Sequence, residues 1–308
     1  LHQLKEDGLY DNTIVFFYSD HGGPLPRQKR EILDSGLKVP FMIKFLNSTK
    51  KGRTDRLISF VDLAPTILSL AKIKPAKYLE GEAFEGIYKG KERDYVYGSS
   101  DRFDEYSDRI RSVRNKRYLY LKNEYPKLTK YKDVGYRKSV PMMQNILDLK
   151  NKGALDRNQK KWFATKDLEE LYDCAVDPHN LNNLAKDSNY SSILNKMRTA
   201  LKRHLQNHKD LGMVSEAELI ETMWPGFEQP KTSSVKINCK NYKLKLSCKT
   251  QGASIAYFVS EKNNEKLDLN SGWKLYSKPI KIEKGKFVYA LAERIGFQTS
   301  EITKLAIE

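Results

Sequence analysis

Apolar positions run through this chain in two textures. The largely apolar run Thr13-Ile14-Val15-Phe16-Phe17-Tyr18 predicts a buried strand over about Asn12 to Tyr18. Before it, Leu1 to Lys5 reads as the end of a helix that stops at Asp7-Gly8. Val39 to Phe45 reads as a second strand. Asp62 opens a helix through Ala71, with Pro65 in the first turn, where a missing N–H costs little. From about Tyr95 the texture shifts to short strands: Tyr95 to Gly98, Ile110 to Arg114, Tyr118 to Leu121 and Glu169 to Asp173, with Asn115-Lys116 as a turn. Ser191 to His208 repeats Ile193, Leu194, Met197, Leu201 and Leu205 at helical spacing.

These textures divide the chain. Residues 1–90 read as the end of an α/β core. Residues 91–212 read as a small antiparallel sheet covered by a helix. Residues 213–234 are polar and irregular, ending in Gln229-Pro230-Lys231, and read as a linker. From Val235 period two dominates, as in Val235/Ile237/Cys239 and Tyr242/Leu244/Leu246/Cys248, so residues 235–308 are expected to form an all-β sandwich.

Composition narrows the partners. With 39% hydrophobic residues over 308 positions the chain is globular, and no apolar run reaches the length of a membrane span. The net charge of +16 attracts polyanions: nucleic acid, anionic membrane surfaces or acidic and sulfated polysaccharides. The basic runs Arg27-Gln28-Lys29-Arg30 and Lys50-Lys51-Gly52-Arg53 are short and scattered. No zinc-finger spacing, RNP-like motif or helix-turn-helix accompanies them, so nucleic acid is not expected as a partner. Cys174, Cys239 and Cys248 have no metal-ligand spacing; Cys239 and Cys248 fall on inward strand phases, as buried thiols do.

Candidate chemistry gathers after the first strand. Ser19-Asp20-His21-Gly22 places a carboxylate and an imidazole side by side where a strand ends, the position at which open α/β sheets bind ligands. Adjacent Asp and His offer an oxygen and a nitrogen to one divalent cation. The alternative is a polar turn in which His21 only caps. Arg102, Asp104, Tyr106 and Asp108 form a polar, aromatic loop able to reach a pocket rim and grip a sugar; the alternative is a solvated loop. His179, His204 and His208 need no catalytic role, and Trp162, Phe163 and Trp224 read as packing residues.

An ordered set of segments resembles the sulfatase family of the alkaline-phosphatase-like superfamily. It comprises Leu4 to Val15, Ser19-Asp20-His21-Gly22, Gly36 to Phe41, Asp62-Leu63-Ala64-Pro65-Thr66, Arg111 to Arg114, Glu169 to Asp173 and Asp177-Pro178-His179. Gly23-Pro24-Leu25-Pro26 looks most like the heparan N-sulfatase (sulfamidase) type. The resemblance implies hydrolysis of a sulfate ester or sulfamate on a sulfated oligosaccharide or polysaccharide. It implies calcium held partly by Asp20 and His21, and Lys29 on the sulfate oxygens. Export to the periplasm or outside the cell is expected. The tail, through Leu246 to Tyr257, Trp273 to Tyr276 and Ala290 to Phe297, resembles a chitobiase/β-hexosaminidase C-terminal-like module.

One departure matters. The family makes its nucleophile, formylglycine, in a Cys/Ser-x-Pro-x-Arg motif, and that motif does not occur in these 308 residues. The expectation is therefore the C-terminal part of a sulfatase domain, inactive alone. The alternatives are a phosphatase or phosphodiesterase of the same superfamily, and a non-catalytic protein that holds a sulfated glycan.

Overall fold

The apolar run at residues 13–18 forms β1 (Val15–Tyr18), preceded by α1 (His2–Glu6). It pairs antiparallel with β2 (Phe41–Lys44), Val15 opposite Lys44 and Tyr18 opposite Phe41. The structure is a computed structural model that describes residues 1–46, 51–263, 266–268 and 270–308; Lys50 of the second basic run lies outside them. It contains two compact units, Leu1–Asp210 and Leu211–Glu308. The expectation of a buried first strand is corrected. Phe17 is 61% and Met42 58% exposed, because a two-stranded ribbon cannot cover both of its own faces. What cover it has is aromatic: Tyr18 stacks on Phe41 at 5.5 Å, and Phe84 meets Phe41 edge-on at 6.0 Å.

Two short helices follow the ribbon's sequence closely. α2 (Asp34–Leu37) precedes β2, and α3 (Leu63–Leu70) starts after Asp62 as the Pro65 signal requires. Asp62 is buried and accepts the Ser59 and Glu82 N–H groups, both at 2.9 Å, while pairing with Arg93. Thr66 accepts the Phe84 N–H at 3.0 Å, so the segment after α3 is pinned by side chains rather than by strands.

The alternating stretch beyond Tyr95 becomes a four-stranded antiparallel meander in chain order. Its strands are β3 (Val96–Phe103), β4 (Tyr106–Arg114), β5 (Tyr118–Asn123) and β6 (Glu169–Asp173). Three helices interrupt it between β5 and β6: α4 (Gly135–Lys138), α5 (Pro141–Asn151) and α6 (Arg157–Phe163). Asp156 starts α6 by accepting the Asn158 and Gln159 N–H groups at 2.7 and 2.8 Å. On one face, Val113, Tyr120 and Leu171 pack with Leu194, Met197 and Leu201 of α7 (Ser191–Asn207). Each buried side chain of this kind contributes roughly 1.5–3 kcal/mol. On the opposite phase, Ile110, Leu119, Leu121 and Tyr172 pack with Ile32, which lies in the loop that follows the Asp-His pair. The sheet is thus the platform on which that loop rests.

At the end of α7, His204 stacks flat on Tyr97 at 3.7 Å and lies 4.2 Å from His208. Burial, then the His208 and Arg93 charges, hold its pKa below the usual imidazole value, opposed by Glu80 and Asp210. A histidine depressed by folding binds its proton more readily in the unfolded chain. Stability is therefore full above about pH 6.5 and falls as pH drops through the lowered folded value. Thermal unfolding between pH 7.5 and 5 should show this loss, and His204→Phe, which keeps the stack, should flatten it. An unchanged slope in the variant would assign the loss elsewhere.

In the second unit, the segment expected to be an irregular linker holds α8 (Glu216–Met223). Ser215 and Glu218 form a reciprocal capping box, the Glu218 N–H reaching Ser215 Oγ at 3.2 Å. Beyond it lie two antiparallel sheets. β8 (Lys243–Ser247) lies between β7 (Lys236–Lys240) and β11 (Ile280–Lys281). β9 (Ser254–Ser260) and β12 (Phe287–Glu293) are central in the other, flanked by β10 (Lys274–Leu275) and β13 (Thr303–Ala306). Both sheets feed one apolar cluster of Val235, Leu244, Leu246, Val288, Ala290, Ala292 and Ile307. Asn241 and Tyr242, with φ of 50° and 56°, make the tight turn between β7 and β8. The cysteines are free thiols; Cys239 and Cys248 pack against this cluster. No helix among the described residues is long and apolar enough to cross a membrane.

Candidate functional site

Asp20 and His21 leave β1 on a turn that folds back against α2. The Gly22 N–H donates to the Gly36 carbonyl at 2.9 Å, and a Cβ on Gly22 would stand 2.1 Å from the Ser35 oxygen. A Cβ on Gly36 would meet the Glu31 oxygen at 2.1 Å. Backbone therefore packs on backbone here, and only glycine fits at either position. Ser19 Oγ donates to the His21 carbonyl at 2.6 Å, fixing the turn from its other side.

The His21 ring then has a defined polarity. Nδ1 lies 2.7 Å from the Gly22 carbonyl and must donate to it, which leaves an acceptor lone pair on Nε2 of the neutral ring. That Nε2 faces Asp20 Oδ2 at 3.4 Å. Two acceptors facing each other call for a proton or a cation between them. The pair is an oxygen and a nitrogen donor close enough to share one divalent cation. It supplies two ligands of the six to eight calcium takes, and no group of three or more metal-capable side chains occurs among the described residues. Asp20 is 81% exposed, open to further ligands.

Lys29 returns to the same place. Its N–H donates to the Gly23 carbonyl at 3.0 Å, closing the loop onto the turn that follows His21. Arg27 and Arg30, on either side, adopt left-handed φ of 62° and 69°, a conformation side-chain-bearing residues avoid. The three neighbouring cations have different surroundings. Arg27 donates to the His179 carbonyl at 2.9 Å, and Arg30 pairs with Asp104. Lys29 is half-buried, lies 4.7 Å over the Tyr136 ring, and has no carboxylate partner among the described residues.

A buried network that sequence reasoning missed holds this loop. The Arg137 guanidinium donates to Glu31 Oε1 at 2.9 Å, to the Lys29 carbonyl at 3.1 Å and to the Lys132 carbonyl at 3.2 Å. Lys132 Nζ donates to the Arg30 carbonyl at 3.0 Å. Residues 131–138 show no period that would mark them, so only the fold reveals their part.

The sugar-gripping loop is divided by the structure. Asp104 sits at the β3–β4 turn with φ of 46° and joins Arg30 beside Lys29. Arg102 lies opposite Ser107, next to a register shift in β3. Asp108 is corrected: it is fully buried, its two oxygens 2.6 and 2.8 Å from Lys166 Nζ. It shares a strand phase with Ile110, a core residue, so it points inward. Cys174 is a poor nucleophile, since burial pushes its thiol up to about 11.

The sulfatase family model matches residues 1–73. An ulvan-active sulfatase of Formosa agariphila is 43% identical over 99% of this chain and 51% of its own length. N-sulphoglucosamine sulphohydrolase of Homo sapiens is 27% identical over 65% of this chain and 43% of that protein. A solved structure in complex with its substrate D-glucosamine-2-N,6-O-disulfate aligns over 70% of this chain and 39% of that one, with 20% identity and a TM-score of 0.49. The chain spans about half the length, or less, of the curated relatives it matches. Residues 1–73 thus match the sulfatase family, and the chain as a whole is similar to part of an ulvan-active sulfatase.

Proposed function

We propose that this chain supplies the metal corner and a sulfate-binding cation of a sulfuric ester or sulfamate hydrolase acting on sulfated oligosaccharides or polysaccharides. The observation that carries this is the facing acceptor pair of Asp20 and His21, with Lys29 tied back to the same turn. Asp20 and His21 would hold calcium together with ligands from other sequence. That ion's chemistry is orientation and charge neutralisation at sulfate oxygens. The Lys29 ammonium offsets negative charge on the departing group, in a half-buried place where that charge counts for more than in water. The attacking oxygen of a hydrated formylglycine has to come from beyond these 308 residues, in which the motif does not occur.

The sequence relatives are named as sulfatases, which favours sulfuric ester over phosphoryl chemistry. We take residues 235–308 as a non-catalytic β-sandwich accessory, supported by two sheets that share one apolar cluster. Export to the periplasm or beyond belongs to the same proposal.

The test is hydrolysis of a chromogenic aryl sulfate and of a sulfated oligosaccharide by the chain joined to family sequence carrying an installed formylglycine. Calcium-dependent sulfate release, lost in Asp20→Ala, is expected. Release indifferent to calcium and to Asp20→Ala would overturn the metal role. A protein that binds the oligosaccharide but frees no sulfate from either substrate would overturn catalysis in favour of glycan binding.

A further inference from the structure

The three-stranded sheet of the second unit has one apolar face and one charged face. Ile237, Cys239, Leu244, Leu246 and Ile280 alternate onto the apolar cluster, so Lys236, Lys240, Lys243, Lys245 and Lys281 occupy the opposite face, all of them exposed. Register lines these lysines up. Lys243 stands directly opposite Lys240 on one side and Lys281 on the other, which makes a row of ammonium groups across all three strands. Directly opposed residues lie about 4.5–5.5 Å apart at Cβ, and like charges placed so destabilise a sheet. Lys245 follows beside Asn238 in the next row, and Lys236 beside Ser247 in the one after.

The strand positions of this face hold no carboxylate. Acids of the same unit pair elsewhere: Glu301 with Lys231, Glu261 with Lys286, and Glu283, two residues past Lys281, with Lys286 at 3.9 Å. None of the face lysines has an ion pair among the described residues. Soluble surfaces intersperse both signs; one sign alone, held against its own repulsion, calls for an opposite charge from outside. The face is an open sheet surface, about 10 Å across its strands and about 14 Å along β7. Its strand positions carry no aromatic ring on which a base could stack. Lysine is a point charge on a flexible stem, without the planar fork by which arginine reads individual phosphates. Tyr242, 46% exposed, occupies the turn between Lys240 and Lys243 at the rim of the face, the kind of amphipathic ring enriched at membrane–water boundaries.

We propose that this lysine face docks on an anionic phospholipid bilayer, independently of the hydrolase reading. The ammonium groups meet lipid phosphates, which offset the repulsion within the Lys240–Lys243–Lys281 row, and the Tyr242 ring enters the headgroup layer. A planar array of mobile headgroups matches an open array of flexible point charges. Attraction of this kind falls off within a Debye length, so it weakens as salt is added.

The test is sedimentation of the full chain at low salt with vesicles of phosphatidylcholine alone, or of phosphatidylcholine mixed with an equal amount of phosphatidylglycerol. Binding to the mixed vesicles and not to phosphatidylcholine is expected. Each lysine beside such a surface is worth about fivefold, so Lys240→Gln, Lys243→Gln and Lys281→Gln together should weaken binding roughly 100-fold. Lys127→Gln, Lys152→Gln and Lys160→Gln together remove the same charge from exposed positions of the first unit and should weaken it by less than about tenfold. The face variant relieves like-charge opposition, so its thermal midpoint should equal or exceed the parent's, which separates lost binding from lost folding. If it unfolds, Lys243→Gln alone, with an expected loss of about fivefold, carries the test. Equal losses in the two triple variants would overturn the proposal in favour of net charge. So would failure to sediment with either vesicle. Tighter binding, charge for charge, to soluble polyphosphate than to the vesicles would assign the face to a flexible polyanion instead.

Discussion

Arg137→Met is expected to cost about 3–5 kcal/mol, the penalty for breaking a buried ion pair by removing one partner. The guanidinium is buried, sits 5.3 Å from the Trp162 ring and 5.8 Å from Tyr131, and carries the Glu31 pair. Without it, Glu31 keeps only Lys132 Nζ at 3.7 Å as a cation, and that lysine also donates to the Arg30 carbonyl. The cost should therefore fall toward the lower end of the range. Lysine at 137 would restore the charge but not the fork that reaches three acceptors at once, so Arg137→Lys should recover less than half of the loss. Urea unfolding measures both. Glu31→Gln combined with Arg137→Met should cost less than the two single changes summed, since each leaves the other's charge stranded. A single-variant cost below 1 kcal/mol would show that Lys132 alone suffices to hold the loop.

The parts of this fold that could be read in the sequence are those with one dominant period. The stripe from Ile193 to Leu205 gives α7 almost to the residue, because five apolar positions at helical spacing leave one face to bury. Glu169 to Asp173 was equally plain as a strand. Exposure of β1 was not readable: the six largely apolar residues Thr13 to Tyr18 say that something covers a strand, and say nothing of where that cover comes from. Two misses had signals. Ser215-Glu216-Ala217-Glu218 is a capping box, and it starts the helix in a segment read as linker. Asp108 stands two residues before Ile110, so strand alternation turns it inward, and its buried partner Lys166 is 58 residues away in sequence. The Asp20–His21 pair was legible because both residues are adjacent. Arg137, Tyr136 and Lys132 were not, since the first two reach Lys29 and the third the Arg30 carbonyl from over 100 residues away, in a segment where Tyr131, Met143 and Trp162 pack together.

Lys29→Ala should lower kcat/KM for sulfate release by about 10²–10³, the usual cost of deleting one group that stabilises charge in the transition state. The kcat part of the loss is the diagnostic one, because charge on the ester oxygen grows only during bond breaking, whereas the sulfate oxygens are charged already in the bound substrate and their contact with Lys29 is felt in KM. The same substitution at Arg27 or Arg30 should behave differently. Arg27 is held by the His179 and Asn180 carbonyls and Arg30 by Asp104, so their loss disturbs the loop and raises KM along with any fall in kcat. Tyr136→Leu separates position from charge. The ring lies under Lys29 Nζ at 4.7 Å and near the Arg30 guanidinium at 4.9 Å, so its removal should loosen the lysine without deleting it, for less than a tenfold loss. Lys29→Arg should recover part of the rate, since charge returns on a longer, planar head that does not reproduce the ammonium's position. These values come from initial rates on one sulfated oligosaccharide, measured in the formylglycine-bearing protein at saturating calcium. Equal losses from Lys29→Ala and Arg27→Ala, with unchanged kcat in both, would mean that the loop supplies only diffuse positive charge. The half-buried position of Lys29, unpaired among the described residues beside two partnered arginines, argues for the unequal result.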